Sequence, residues 1–299
     1  MSGPAVTSVL VTVPASTANL GPGFDALGMA LALHDTVRVR CVGHGLRVDV
    51  SGYGADQVPR DERHLVVRAL RAAAGKLGLD LPGLELCCQN SIPHSRGLGS
   101  SAAATVAGVA AAYGLAGRDV TESAEDVLQL AAGFEGHADN AAASLFGGAV
   151  VAWRDAGHYR AARLRPHEAL RPIALVPEVE CSTAAARGLL PDQVRHGDAA
   201  FNAGRAALAV HALTSAPELL LAATEDRLHQ DYRARAFPAS LRLVRALRAG
   251  GVAATVSGAG PAVLALTTDG RLPDGVNMRG FLRWPMEVDQ AGVRVEPAE

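Results

Sequence analysis

The chain has 299 residues, 49% of them hydrophobic, which is enough for one large domain or two ordinary ones around a real core. Basic and acidic residues nearly balance, 28 against 30, and no basic stretch is interleaved with aromatics, so nucleic acid is excluded as the expected partner and small molecules are favoured. The four cysteines, Cys41, Cys87, Cys88 and Cys181, form no CxxC pair, which speaks against a zinc knuckle or disulfide framework and fits a reducing cytoplasm; no apolar run reaches about 18 residues, so no membrane partner or leader is expected.

In chain order, β-branched Ser8–Val13 predicts a strand ending at Pro14. The following loop, Ala15 to Asp25, holds two glycines, a proline and short polar side chains. It can aim Asn19 and Asp25 at a pocket, Asp25 to accept from a substrate ammonium and Asn19 to add an amide. Ordinary turn chemistry is the alternative for both. Val37, Val39 and Cys41 alternate with Arg38 and Arg40, and Val48 and Val50 flank Asp49, predicting two half-exposed antiparallel strands. Leu65, Val66, Ala69, Leu70, Ala73 and Leu77 recur at helical spacing up to Gly78.

A strand over Leu84–Cys88 leads into Pro93, His94, Ser95, Arg96, Gly97, Leu98, Gly99, Ser100, Ser101, Ala102 and Ala103, a loop opening directly into an alanine-rich helix from Ser100 to Tyr113. Gly97 and Gly99 leave room for backbone to close on a phosphate, and the helix start turns its unpaired N–H groups toward that anion. Ser100 and Ser101 add hydroxyls for a phosphate oxygen or a magnesium ion, and either is the candidate. The loop has neither the lysine of GxxxxGK[ST] nor the GxGxxG spacing, so P-loop and Rossmann sites are excluded. A plain loop with serine N-caps is the alternative.

A second helix runs through Val127, Leu130 and Phe134 into Glu135-Gly136-His137-Ala138-Asp139-Asn140. Glu135 is the candidate magnesium ligand beside the phosphates. His137 and Asp139 lie two apart and cannot share one helix face, which argues against a metal clip built from them. A hydrogen-bonded structural histidine is the alternative for His137. A strand at Ala149–Trp153 follows, and the polar stretch from Arg154 to Arg171 marks a boundary between an N-terminal domain, 1–160, and a C-terminal domain, 161–299.

Beyond it, Ile173–Val176, Thr255–Val256 and Ala262–Leu266 read as strands, with helices over 198–213, 217–228 and 240–249. Without strict alternation, the class is α+β, with helices laid against largely antiparallel sheets. Thr183 and Arg187 are four apart on one face of a capped helix start. Arg233 or Arg235 supplies a fork for a carboxylate, unless both are solvated surface residues. Gly258 and Gly260, ahead of Pro261, allow close backbone approach to a ligand or form a tight connection.

Taken together, Pro14–Asp25, Pro93–Ala104 and Val256–Ala262 resemble, in order, the three motifs of the GHMP kinase superfamily. Ala18–Asp25, His137–Asn140 and the Thr183…Arg187 pair resemble its homoserine kinase branch. The resemblance implies a GHMP kinase fold, pairing a domain similar to domain 2 of ribosomal protein S5, with a left-handed βαβ unit, and a ferredoxin-like domain. It implies ATP-dependent phosphorylation of L-homoserine in threonine synthesis, in a cytoplasmic enzyme and a homodimer. ATP would lie on residues 93–103, with Mg²⁺ on Ser100 and Glu135. L-Homoserine would meet Asn19, Asp25, His137, Asp139, Thr183, Arg187, Arg233 and Gly260, with Asp139, Asn140 and Arg187 serving catalysis. The implied path needs no side-chain base, the substrate proton passing to the γ-phosphate; a base role for Asp139 is the alternative. A kinase for another hydroxylated molecule, such as L-threonine or an isoprenoid precursor, and a non-catalytic sensor are the competing readings.

Overall fold

The structure, a computed structural model, describes residues 3–181 and 183–298, with Thr183 described in its backbone alone. The long strand β1 (Ser8–Asn19) runs antiparallel to β2 (Gly23–Val42), with register shifts at Pro14/Ala15 and Ala18/Asn19. The segment after Pro14, expected as loop, therefore continues as strand to Asn19. Its Ser16 and Thr17 are fully buried, and small polar residues survive there because distant side chains satisfy their hydroxyls.

The next strand, β3 (Gly45–Gly52), does not return along β2. It pairs in parallel with β4 (Gly83–Asn90), which itself lies antiparallel to β2, and α1 (Leu65–Leu77) carries the crossover. The two strands expected over 37–41 and 48–50 do run in opposite directions but are not neighbours: β4 lies between them, and Val48 and Val50 lie opposite Leu86 and Cys88. The reason is α1, whose apolar face of Val66, Val67, Ala69, Leu70 and Ala73 must be buried on the sheet; a helical crossover suits a parallel pair.

On that covered face, α2 (Ser100–Leu115) is apolar all round and almost wholly buried, as befits a central helix. It is flanked by α3 (Ala124–Glu135) and α4 (Asp139–Phe146). Strand β5 (Ala149–Asp155) joins β2, and β6 (His158–Leu164) pairs with β5. The boundary expected after residue 160 thus falls inside β6, because strand pairing continues through the polar stretch.

The remaining chain forms β7 (Arg171–Pro177), α5 (Thr183–Arg187), α6 (His196–Thr214), a 3₁₀ turn at Pro217–Leu219, α7 (Leu220–Ala223), α8 (Pro238–Ala249), β8 (Ala253–Val256), β9 (Val263–Thr267), β10 (Phe281–Pro285) and β11 (Arg294–Pro297). Strands β10-β7-β9-β8 make a second, antiparallel sheet. The helix expected over 217–228 stops at Ala223, since the Asp226 carboxylate takes the N–H groups of Leu228, His229 and Gln230 into a local turn. Strand β11 goes back to pair with β1, so the chain end belongs to the first sheet rather than the second. A core of Leu20, Leu27, Met29, Leu213, Leu264 and Leu266 joins the two halves. No helix among the described residues is long and apolar enough to cross a membrane.

Candidate active site

Where the β1–β2 turn, the 93–101 loop, the α3–α4 joint, α5 and the β8–β9 loop converge, a cleft of about 440 Å³ opens. Its floor is the glycine loop. Gly97 and Gly99 have φ of 79° and 71°, and a Cβ would lie 2.2 Å from Ser257 O at the first and 2.0 Å from Ser16 Oγ at the second. The loop is pressed that close because both halves hold it: the Ser16 N–H donates to Leu98 O at 3.1 Å, the Ala262 N–H to Arg96 O at 3.0 Å, and Ser257 Oγ to Gly97 O at 2.6 Å. Gly99 starts α2 with no side chain capping it, so the first-turn N–H groups are left for an anion.

Pro93, Ser95, Arg96, Gly97, Leu98, Gly99, Ser100 and Ser101 all line the cleft. His94 does not; it lies against Gly54, with Nε2 3.4 Å from Asn90 Nδ2. Ala102 and Ala103 are buried in α2 beneath the loop. The Arg96 guanidinium is committed to protein: Nε donates to Pro177 O at 3.1 Å, Nη2 to Glu178 O at 2.8 Å, and Nη1 to His94 O and Glu180 Oε1 at 3.0 and 3.1 Å. It straps the loop to the segment leading into α5.

On the acidic wall, α3 ends at Gly136 with φ 80° and a new helix starts at Asp139. The break overturns the expectation that His137 and Asp139 stay apart: their Nδ1 and Oδ1 lie 2.6 Å from one another. Spacing rules for one helix do not apply across two. Asp139, 1% exposed, also accepts the Asn140 N–H at 2.8 Å, while Asn140 Oδ1 accepts from Ser16 Oγ at 3.1 Å. Burial alone would lower the His137 pKa, but the hydrogen bond and charge of Asp139, with Glu135 behind, outweigh it and raise the value. Burial likewise pushes the Glu135 carboxyl up, against the opposing effect of a hydrogen bond from Ser101.

The opposite wall carries mixed charge. Asp25, at φ 55°, is fixed by Asn19, whose Oδ1 accepts the Asp25 N–H at 3.0 Å while Nδ2 donates to Gly258 O at 2.8 Å. Turn chemistry thus occupies both ends of the Asn19 amide even though it lines the cleft. Arg187 Nη1 and Nη2 grip the two Asp25 oxygens at 3.0 and 2.6 Å. Arg233 lines the cleft and is 1% exposed, whereas Arg235 is exposed, which separates the two candidates. Arg233 Nη1 donates to His229 Nδ1 at 3.1 Å and Gly258 O at 3.2 Å; its buried Nε has no partner among the described residues. The Phe24 ring lies 5.4 and 5.5 Å from the guanidinium carbons of Arg187 and Arg233 and stacks on His229 at 5.3 Å. Gly260 lines the cleft, while the side chain of Thr183 lies outside the described residues.

Asp25, His137 and Asp139 each place a ligand atom within 4.8 Å of the others. They suit a cation poorly, because Arg187 holds both Asp25 oxygens and His137 is bonded to Asp139. Glu135 with the hydroxyls of Ser100 and Ser101 is the better donor set: hard oxygens beside the α2 N-terminus, with Ser101 being the serine bonded to the carboxyl. Sequence reasoning missed Phe24, Ser16 and His229, each of which has a hydrogen-bond or ring partner more than a hundred residues away, His229 and Gly21 being 208 apart.

Residues 64–148 match the family model described as GHMP kinases N terminal domain, and residues 205–276 that described as GHMP kinases C terminal. The homoserine kinase of Streptomyces coelicolor is 50% identical over 303 residues, covering 99% of this chain and 98% of that protein. The homoserine kinase of Rhodococcus opacus is 54% identical over 280 residues, 89% of each chain. The crystal structure of homoserine kinase from Cytophaga hutchinsonii superposes with a TM-score of 0.84 at 28% identity, over 98% of both chains.

Proposed function

This chain belongs to the GHMP kinase family and, within it, to the homoserine kinases, and from that premise we propose that it moves the γ-phosphoryl group of ATP to the side-chain hydroxyl of L-homoserine, yielding ADP and O-phospho-L-homoserine for threonine synthesis in the cytoplasm. The observation that carries the reading is the pairing, in one cleft, of an uncapped helix start with a buried guanidinium whose Nε has no partner among the described residues. The first suits a triphosphate and the second a carboxylate.

The triphosphate lies along residues 97–101, where backbone N–H groups and the α2 dipole meet its charge. Magnesium bound at Glu135 and a serine hydroxyl would neutralise the phosphate oxygens during transfer. The substrate carboxylate takes the Arg233 edge and the ammonium takes Asp25, so Arg187 must loosen its hold on Asp25 and is then available to the carboxylate or the transferring group. Asp139 and Asn140 orient the hydroxyl. Its oxygen bonds to the γ-phosphorus, the bridge to the β-phosphate breaks, and the hydroxyl proton passes to the transferred phosphoryl group. Asp139 Oδ1 already accepts two hydrogen bonds, which supports an orienting role over that of a base.

ADP release measured with L-homoserine beside L-threonine, L-serine and mevalonate tests this. L-Homoserine should give the highest kcat/KM. Preference for mevalonate, which has no ammonium for Asp25, would overturn the substrate, and Mg-ATP binding without turnover would overturn the reaction.

A further inference from the structure

Behind Arg233, away from any reacting group, lies a fully buried histidine that the chemistry above does not use. His229 is 0% exposed, and its ring makes two different bonds. Its Nε2 donates to Gly21 O at 2.7 Å, in the turn that leads to Asp25. A carbonyl only accepts, so Nε2 carries the proton and Nδ1 is left with a lone pair. That lone pair faces Arg233 Nη1 at 3.1 Å. The remaining Nη1 proton goes to Gly258 O at 3.2 Å. One corner of the guanidinium is therefore used up, and the Nε–Nη2 edge, with Nε unpartnered among the described residues, is what remains for a ligand. That edge offers two parallel N–H groups, the pattern a carboxylate accepts bidentately.

We propose that His229 is the positioning residue for the substrate carboxylate, a neutral imidazole that rotates Arg233 into the orientation presenting its Nε–Nη2 edge and couples that orientation to the 21–25 turn. The inference rests on Arg233 being the carboxylate reader. The charged groups around the ring are Asp226, 3.7 Å from Nε2, Arg233 and Asp25. Burial, ahead of the repulsion from Arg233, holds the imidazole neutral. A protonated ring would face Arg233 with a donor and lose the bond.

Two amides separate the two ring functions. Asn places its Oδ1 where Nδ1 stands, keeping the acceptor for Arg233; Gln places its Nε2 where the ring Nε2 stands, keeping only the donor to Gly21. His229→Gln should raise KM for L-homoserine roughly tenfold or more, the cost of losing a hydrogen bond to a charged group, and His229→Asn should stay within about threefold of native. Neither should move KM for ATP, and for L-homoserine amide, whose carboxyl carries no charge, the Gln variant should differ little from native. Equal KM values for the two variants, or an equal loss with the amide, would overturn the proposal. Arg233→Met separates it from its premise: if that change leaves KM for L-homoserine unaltered, the carboxylate reading itself fails, whereas a rise there with no effect of His229→Gln overturns only the role of His229. Should the Gln variant not fold, ¹⁵N spectra of the native enzyme decide: an unprotonated, hydrogen-bonded Nδ1 across pH 6–8 supports the role, and a protonated Nδ1 refutes it.

Discussion

Arg187 closes on Asp25 as a two-pronged ion pair, with both nitrogens of its fork within 3.0 Å of separate carboxylate oxygens. Each side chain is about a third exposed, so the pair adds little to stability, on the order of 1 kcal/mol or less. Its consequence lies in the cleft: an amino acid brings one charge of each sign, and the pair must open for Asp25 to receive the ammonium. Asp25→Asn should raise KM for L-homoserine about 10- to 100-fold, since a charge-assisted bond to the ammonium is lost, while the melting temperature moves by only a few degrees. Steady-state kinetics beside thermal denaturation reads both; an unaltered KM contradicts the assignment.

The glycine loop permits a graded test. At Gly97 an added Cβ meets the carbonyl oxygen of Ser257 at 2.2 Å, which cannot rotate away; at Gly99 the nearest atom is the Ser16 hydroxyl, which can turn, with the Ser16 backbone N and O at 3.1 Å behind it. Both positions also carry positive φ. Gly97→Ala should be the worse of the two, destabilising by about 1–3 kcal/mol and raising KM for ATP more than Gly99→Ala. Chemical denaturation and ATP kinetics compare them, and the reverse order would show that the loop relaxes as a unit.

Asp139 is the sharpest test of the chemical step. Its carboxylate orients His137 and Asn140, and an amide retains one acceptor of that set. Asp139→Asn should lower kcat about 10- to 100-fold without abolishing turnover. Activity below detection with ATP and L-homoserine still bound would establish Asp139 as a base.

The His137–Asp139 bond also sets a pH dependence. With the His137 pKa raised in the folded protein, the bond's contribution to stability is complete below about pH 6.5, the unfolded value, and fades as pH rises through the folded one. The stability gap between native and His137→Gln proteins should therefore be widest near pH 5.5 and narrow toward alkaline pH. Urea denaturation across that range checks the sign, and a gap that widens with pH would reverse the assignment.

Asp35 on β2 titrates with the same sign, in a lower pH range. Its Oδ1 accepts the N–H groups of Ser91 and Ile92 at 2.6 and 2.8 Å, just ahead of the glycine loop, yet burial pushes its pKa up to about 6. The folded state holds the proton more tightly than the unfolded chain, so stability falls as pH rises from about 4 to about 6 and stays reduced above that. Asp35→Asn keeps an acceptor without the charge. It should stabilise the protein by about 1–2 kcal/mol at pH 8 and be indistinguishable at pH 3.5; denaturant midpoints at the two values measure the difference.

Local pattern determined much of this protein. Gly97 and Gly99 before an alanine-rich run announced a loop opening straight into a helix, and the spacing of Val66, Leu70 and Ala73 announced another, because both depend on residues near in sequence. Two relationships escaped local pattern, which says neither which strand lies alongside another nor where one helix gives way to the next. Val48 and Val50 have the alternation of any half-buried strand, which does not say whether β2 or β4 lies alongside. His137 and Asp139 met because Gly136 ended one helix and Asp139 began another.

Tertiary structure alone decided which polar groups are spent and which are left over. The sequence offers Arg96, Arg187, Arg233 and Arg235 with the same fork, yet the fold commits the first to Pro177 and Glu178, pairs the second with Asp25, buries the third with an Nε that has no partner among the described residues, and exposes the fourth. A guanidinium carries the same charge and the same donors in all four places. What it can bind is set by the burial and the partners that remote segments supply, and those arise only once the two sheets close on one another.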